Sequence, residues 1–159
     1  MKPFFVLALA TGLAGCIIVP VPITQNVSRD VPATVETTGF GGALNELRAS
    51  RGLAPLGQDP RLTRAAQAHA DHMIEAGYFS HQSPGGPMGD TMSARMRTAG
   101  CNIGAASENI AFGQPSEQAV LDAWIDSPGH LTNMLGPRYR AYGLGRAGNH
   151  WVLKLADGC

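Results

Sequence analysis

The sequence has no surplus of charge of either sign and few aromatic side chains. Its 159 residues carry 12 Lys and Arg against 12 Asp and Glu, and Phe, Trp and Tyr together make up 6%. A surface that binds nucleic acid needs a basic patch to neutralise phosphates, and this balance provides no excess of basic residues for one. We therefore predict no nucleic-acid partner.

Ready-made catalytic signatures are also missing. The chain contains no H-E-x-x-H zinc motif, no phosphate-binding loop and no G-x-S-x-G nucleophile turn. Residues 143–148, Gly-Leu-Gly-Arg-Ala-Gly, match the letters of the dinucleotide-binding fingerprint. That fingerprint must open a helix after a strand, whereas this segment lies between two strand-like runs, so we do not predict nucleotide binding.

No apolar run at the start of the chain is long enough to cross a membrane, because residues 4–14 offer about half of the roughly 20 residues required. The positive Lys2, this apolar run and the small residues after it are instead typical of an export signal. The tetrapeptide Leu-Ala-Gly-Cys at 13–16 resembles a lipobox, in which the cysteine thiol is diacylated and the chain is cut before it. We predict a lipoprotein signal peptide over residues 1–15 and lipid on Cys16, and the alternative is an ordinary signal peptide with an incidental cysteine.

Such a lipid would hold the exported protein in the bacterial cell envelope, at the outer or cytoplasmic membrane and on its periplasmic or surface side. Only three cysteines are present, and assigning Cys16 to lipid leaves Cys101 and Cys159. One disulfide between these two suits an oxidising compartment. The bridge would close a loop of about 60 residues and add about 4 kcal/mol by chain entropy. The alternative is a pair of unpaired buried thiols.

Residues 16–40 contain Pro20, Pro22 and Pro32 without a helical or alternating period, so we predict an extended tether. Residues 41–159 are then one domain, of a size that supports a single core. Capping residues and apolar periods predict helices over 41–50, from Pro60 with Asp59 as N-cap to Gly77, from Asp90 to Gly100, and after Ser116. A hairpin is predicted from 140–146 and 150–155, and residues 107–112 are a strand or a loop.

Three polar residues lie beside glycine, proline or aromatic residues, in what the sequence predicts to be loops: His81, Glu108 and His130. Loops on a rigid scaffold are where binding and catalytic sites are commonly built. The alternatives are that the two histidines serve packing and that Glu108 anchors a loop by accepting backbone N–H bonds. His69 lies on the apolar stripe of the second helix, which favours a core histidine bonded to backbone carbonyls or to Glu108.

The order of short motifs from residue 44 to residue 156 resembles the CAP superfamily, also called the SCP-like extracellular family, in its short bacterial form. The motifs are Leu-Asn-Glu-Leu-Arg at 44–48, Ala-Gln-Ala-His-Ala at 66–70, Phe-Ser-His at 79–81, Glu-Asn-Ile-Ala at 108–111, Ser-Pro-Gly-His at 127–130 and Asn-Met-Leu at 133–135. The resemblance implies an α/β (α+β) fold, a three-layer α-β-α sandwich with an open cleft. In that cleft the family places two histidines and two glutamates as a metal-binding tetrad.

Three members of the tetrad match by position: His81, Glu108 and His130. The second glutamate is expected at the end of the fourth helix, where Asp126 and Ser127 stand instead. Asp126 could replace it directly, or Ser127 through a bridging water. The resemblance thus implies a cleft of these five residues in which His81 and His130 hold Zn²⁺ or another divalent cation weakly, since catalytic zinc normally has three protein ligands.

Two functions follow from this cleft, and a third needs no site. The favoured function is a binding or interaction module at the membrane for a hydrophobic small molecule, a peptide or a cell-envelope partner. The alternative is a metal-assisted hydrolase of peptides or envelope polymers with Glu108 as general base. The third is a purely structural envelope protein in which the polar cluster rigidifies the loops. No serine near these residues has triad partners in readable spacing, which favours binding over nucleophilic catalysis.

Overall fold

The structure, a computed structural model, describes residues 34–35 and 38–159. The predicted signal peptide, Cys16 and nearly all of the predicted tether lie outside these residues. The helices are α1 (Gly39–Ala49), α2 (Pro60–Glu75), α3 (Met92–Thr98), α4 (Glu117–Ile125) and α5 (Pro128–Met134). The strands are β1 (Thr34–Val35), β2 (Gly57–Gln58), β3 (Ala106–Phe112), β4 (Ala141–Ala147) and β5 (His150–Ala156). Within the described residues, no helix is both long and apolar enough to cross a membrane.

The helix boundaries follow the capping residues closely. The Asp59 carboxylate accepts the backbone N–H of Arg61 at 2.8 Å, Pro60 is the first residue of α2, and Gly77 after its end has a φ of 68°. These features are as the sequence predicted. The cap of α3 is Thr91, one residue after the predicted Asp90, and its hydroxyl accepts the backbone N–H of Ala94 at 3.1 Å.

The start of the folded unit differs slightly from the predicted boundary at residue 41. α1 begins at Gly39, and β1 pairs antiparallel with β2, so Thr34 and Val35 belong to the sheet. The predicted hairpin is present as β4 and β5, and the segment left open as strand or loop is β3.

The sheet has the strand order β1-β2-β4-β5-β3, which leaves β3 as an edge strand. Side chains alternate between its faces, so one face packs on α2 and α3 and the other on α1, α4 and α5. The predicted three-layer α-β-α sandwich is confirmed. The α1 face holds the larger apolar cluster, which includes Phe40, Leu44, Trp124, Trp151 and Leu153.

A buried arginine links α1, the loop that follows it and the end of α5, all in the same layer. Arg48 of α1 is fully buried, and its guanidinium donates to the carbonyls of Met134 at 2.7 Å and Ala54 at 2.9 Å. Because Met134 is the last residue of α5, Arg48 satisfies a carbonyl that the helix itself leaves unpaired. This contact fixes the end of α5, the helix that carries His130.

The disulfide predicted from cysteine arithmetic is present between Cys101 and Cys159, with a sequence separation of 58 residues. It joins the chain after β5 to the loop before β3. Asp157 reinforces the same junction, since its carboxylate accepts the backbone N–H groups of Gly104 and Ala105 at 3.0 and 2.8 Å. The edge strand β3 is therefore held at its start by a covalent bond and two hydrogen bonds.

Candidate functional site

The structure places the three predicted polar residues on three different kinds of element. His81 lies in a bend after α2, as predicted, but Glu108 lies on β3 and His130 on α5. The prediction of a loop is therefore wrong for His130, whereas Glu108 lies in the segment that the sequence leaves open between strand and loop. β3 is stabilised by pairing with β5, and α5 begins at Pro128 after Ser127, a residue pair typical of a helix start.

The centre of the site is the buried carboxylate of Glu108. His81 Nδ1 donates to its Oε1 at 2.8 Å, and Arg95 Nη2 donates to Oε1 and Oε2 at 3.2 and 3.1 Å. Lys154 Nζ also donates to Oε2. His69 Nε2 lies 3.9 Å from Oε1 and is bonded to the backbone carbonyl of Ser80 at 3.0 Å. Glu108 therefore has donors on both oxygens, all of them side chains.

The environment keeps Glu108 ionised. Burial raises the pKa of its carboxyl, but the His81 hydrogen bond and the charges of Lys154 and Arg95 outweigh burial and lower the pKa to about 2. Burial lowers the pKa of Lys154 to about 8, against the opposing effect of Glu108. Burial likewise lowers the pKa of His69 to about 4, which favours a neutral core histidine. A carboxylate with so low a pKa takes up a proton poorly, so this geometry favours Glu108 as an anchor of His81 rather than as a general base.

His81 is the member of this cluster that solvent reaches. Its side chain is 52% exposed, whereas those of Glu108 and Lys154 are buried. An ionised carboxylate can only accept hydrogen bonds, so Nδ1 of His81 carries the hydrogen. In the neutral imidazole, Nε2 then offers a lone pair to a ligand.

His130 approaches from the other face of the sheet. Asn109 on β3 donates from Nδ2 to the carbonyl of His130 at 3.0 Å, and Asn133 Nδ2 donates to Asn109 Oδ1 at 2.8 Å. Burial and then the charge of His81 lower the pKa of His130. The two predicted histidines therefore flank one edge strand, and we call the space between them the His81–His130 cleft.

An apolar hollow of about 380 Å³ lies on the α2 face of the same strand. Ile74, Phe79 and Phe112 are 45%, 50% and 58% exposed, and all three line it. The ring of Phe112 lies 6.2 Å from that of Phe79 and 4.7 Å from that of His150, with tilted planes. A second hollow of about 310 Å³ lies between α1 and α4, lined in part by Phe40, Ala43 and Leu121.

Comparison with known proteins identifies the family. Residues 42–153 match the model of the cysteine-rich secretory protein family, abbreviated CAP. The chain belongs to the CAP family. The match covers strands β2 to β4, the first four residues of β5, and all helices except the first three residues of α1.

Two relatives come from Bacillus subtilis. The uncharacterized protein YkwD is 33% identical over 147 residues, which cover 80% of this chain and 55% of YkwD. The uncharacterized membrane protein YlbC is 32% identical over 101 residues, which cover 64% of this chain and 28% of YlbC. The CAP chain therefore spans about half or less of the length of these relatives.

Solved structures agree with this fold. An extracellular protein containing a SCP domain from Bacillus anthracis has a TM-score of 0.69 at 27% identity, covering 74% of this chain and 38% of that protein. An outer surface protein of Borrelia burgdorferi has a TM-score of 0.63 at 21% identity, covering 76% and 90% of the two chains. The second likeness shows the fold alone.

The residues of this CAP domain do not fit the family's metal tetrad. Within the described residues, only Asp59, Cys101 and Cys159 bring three ligand atoms within 4.8 Å of one another, and both cysteines are in the disulfide. His81, Glu108 and His130 do not form such a group, and both oxygens of Glu108 already accept hydrogen bonds from cationic or imidazole side chains. The remaining ligands are two imidazoles, a weak set for zinc.

Neither predicted substitute for the second glutamate contacts the histidines. Asp126 is exposed at the C-terminal cap of α4, and Ser127 precedes α5 with no cap hydrogen bond from its side chain. Among residues 38–159 the structure shows no hydrogen bond or ion pair from either to His81 or His130.

Sequence reasoning missed Arg95 and Lys154. Lys154 is the charged residue of an apolar strand, and alternation places it on the same face as Val152 and Ala156, both buried. A lysine at an inward-facing position is a signal that a buried carboxylate lies opposite. Arg95 on α3 gives the same signal, because it is a charged residue next to the buried Met96. Both signals were readable, but neither identifies Glu108 as the partner.

Proposed function

We propose that this CAP protein is exported, is anchored to the cell envelope by lipid on Cys16, and binds a hydrophobic ligand or envelope partner beside His81. One observation carries the binding part of the proposal. The three exposed large hydrophobic side chains of the described residues all line one hollow. Exposed apolar patches on soluble domains commonly mark binding surfaces, because they are costly to leave in water.

The hollow and the His81–His130 cleft share two pieces of chain. Phe79 and His81 are two residues apart in one segment, while Phe112 and Glu108 lie on the same face of β3. A ligand with an apolar body and one hydrogen-bonding group could therefore contact both. The hollow of about 380 Å³ is within the usual range for small-molecule pockets, roughly 300–1,000 Å³.

The contacts of Glu108 favour binding over hydrolysis. A general base needs a free oxygen within reach of water, and the Glu108 oxygens accept from His81, Arg95 and Lys154. The carboxylate is also buried. A site whose polar groups are already fixed in place is suited to orienting a ligand.

The ligand site is tested with a dodecyl alcohol carrying a fluorescent label, titrated into the chain from residue 16 with Cys16→Ser. We expect the double variant Phe79→Ala, Phe112→Ala to bind at least about tenfold more weakly, because losing the burial of a phenylalanine costs about 1.5–3 kcal/mol. Leu53→Ala, which shortens a partly exposed leucine after α1, is the matched control and should bind like wild type. Equal binding by the double variant would contradict the proposal and point to the hollow between α1 and α4.

The anchor is supported by the lipobox pattern, by the membrane protein YlbC among the relatives, and by the extracellular Bacillus anthracis protein. We expect the full chain, expressed in a bacterium, to sediment with membranes and to lose residues 1–15. Cys16→Ser should move it to the soluble fraction, since one thiol carries the diacyl group. Cys101→Ser with Cys159→Ser is the control that leaves the anchor. Mass spectrometry of the N-terminal peptide checks the lipid, and an unmodified Cys16 in the membrane fraction would refute it.

A further inference from the structure

We infer that Lys154 is a built-in counter-cation of Glu108 that closes the His81–His130 cleft to divalent metal ions. The inference rests on the proposed function only in treating this cleft as part of the binding site. It separates this chain from the metal tetrad that the family resemblance implies.

The Glu108 carboxylate already accepts as many hydrogen bonds as its oxygens allow. Each Glu108 oxygen accepts two hydrogen bonds: Oε1 from His81 and Arg95, and Oε2 from Arg95 and Lys154. A carboxylate has about four lone-pair directions, so the protein already uses them all. A metal ion could bind Glu108 only by displacing a buried cation.

The second step is the charge of the cluster. The side chains of Arg95 and Lys154 are 2% and 0% exposed, and Glu108 is their shared acid. Two buried cations beside one carboxylate leave excess positive charge, which water screens poorly. A divalent ion between His81 and His130 would meet that charge directly.

The third step is the missing second acid. Asp126 stands at the corresponding place but is exposed at the end of α4 and contacts neither histidine. Among residues 38–159, Glu108 is the one carboxylate that pairs with Arg95 and Lys154, and no second acid balances the remaining positive charge. Because Nδ1 of His81 donates to Glu108, the other ring nitrogen, Nε2, is left for a ligand, and its lone pair in the uncharged ring suits a hydrogen-bond donor such as a hydroxyl.

Calorimetric titration of Zn²⁺ into the metal-free chain from residue 16, with Cys16→Ser, tests the inference. We expect no saturable uptake by wild type at micromolar zinc. Lys154→Met removes the cation at similar volume, and we expect it to bind zinc at least tenfold more tightly than wild type. Adding His130→Ala should abolish the gain. Arg97→Gln removes an exposed cation from the same helix as Arg95 and should not change zinc binding.

Micromolar zinc binding by wild type that is lost in His81→Ala would overturn the inference, as would Lys154→Met or Lys154→Gln that is folded by circular dichroism but gains no zinc. Lys154→Gln serves if the methionine variant does not fold, because the amide can still donate to Glu108. Failure of the labelled alcohol to bind would refute the hydrophobic-ligand proposal while leaving these zinc results unaffected. The hydrophobic-ligand proposal and the inference about Lys154 can therefore be refuted independently of each other.

Discussion

Glu108→Gln should lower the free energy of unfolding by about 3–5 kcal/mol, because it leaves Arg95 and Lys154 buried without their shared carboxylate. The substitution keeps the shape of the side chain, so loss of packing contributes little. Urea unfolding followed by tryptophan fluorescence measures the change. Glu75→Gln, at an exposed position at the end of α2, should stay within about 0.5 kcal/mol of wild type.

A double variant separates charge from shape. Adding Lys154→Met to Glu108→Gln removes one stranded cation and should recover part of the lost stability, giving a coupling between the two sites. If the losses of unfolding free energy in the two single variants simply sum to the loss in the double variant, the ion pair is not what stabilises this region.

The loss of unfolding free energy at acid pH should also depend on Glu108. The folded-state pKa of Glu108 is about 2, below its ordinary value of 4.5. The ionised carboxylate therefore contributes about 3 kcal/mol, present in full above pH 4.5 and lost as the pH falls through 2. The Glu108→Gln variant should lack that contribution, and its unfolding free energy should fall less between those pH values.

Gly145→Ala should destabilise the domain by about 3 kcal/mol or more, and together with Gly143→Ala should prevent folding. A Cβ at 145 would lie 2.3 Å from the backbone nitrogen of Gln67, and one at 143 would lie 2.2 Å from the backbone of Leu62 and Thr63. These atoms belong to α2, so the whole helix would have to move off β4. Soluble yield and urea unfolding measure the effect.

Gly129→Ala is the matched control. It lies inside α5 with no positive φ and no atom within 4 Å of its missing Cβ, so alanine should be neutral or stabilise the chain by up to about 1 kcal/mol. Gly145→Ala within 1 kcal/mol of wild type would mean that α2 can shift away from β4 at little cost.

The glycine pair also explains a misleading motif. Residues 143–148 resemble a dinucleotide fingerprint in letters, but Gly143 and Gly145 lie within β4, where they allow the helix to approach the sheet. Glycine serves close packing in both settings. Sequence alone gives the spacing, and only the strand context shows which role applies.

The helix starts were predictable because capping is local. Asp59 and Pro60 act within one turn of α2, and Ser116 accepts the N–H of Ala119 in α4. α5 is not predicted, because a helix of seven residues is too short to show a recognisable apolar period. Ser127 and Pro128 are nevertheless typical of a helix start.

The site was predicted in part. His81 and Glu108 are in contact, and the carbonyl of His130 accepts a hydrogen bond from Asn109, the next residue of β3. The role of Glu108 was not predictable, because its partners Arg95 and Lys154 are 13 and 46 residues away along the chain. Nothing local to Glu108 reveals whether its oxygens are free.

By itself, the sequence determined the lipobox expectation at Cys16, the extent of α2 and the β4–β5 hairpin, since each depends on residues close together in the chain. It also determined the pairing of Cys101 with Cys159, because these are the two cysteines that remain once Cys16 is assigned to lipid. Tertiary structure decided the chemistry of the cleft. Strand pairing places Glu108 opposite Lys154, and the packing of α3 adds Arg95. Charges in a buried cluster are set by what surrounds them in space, and that arrangement turns a predicted metal-site glutamate into a saturated anchor for His81.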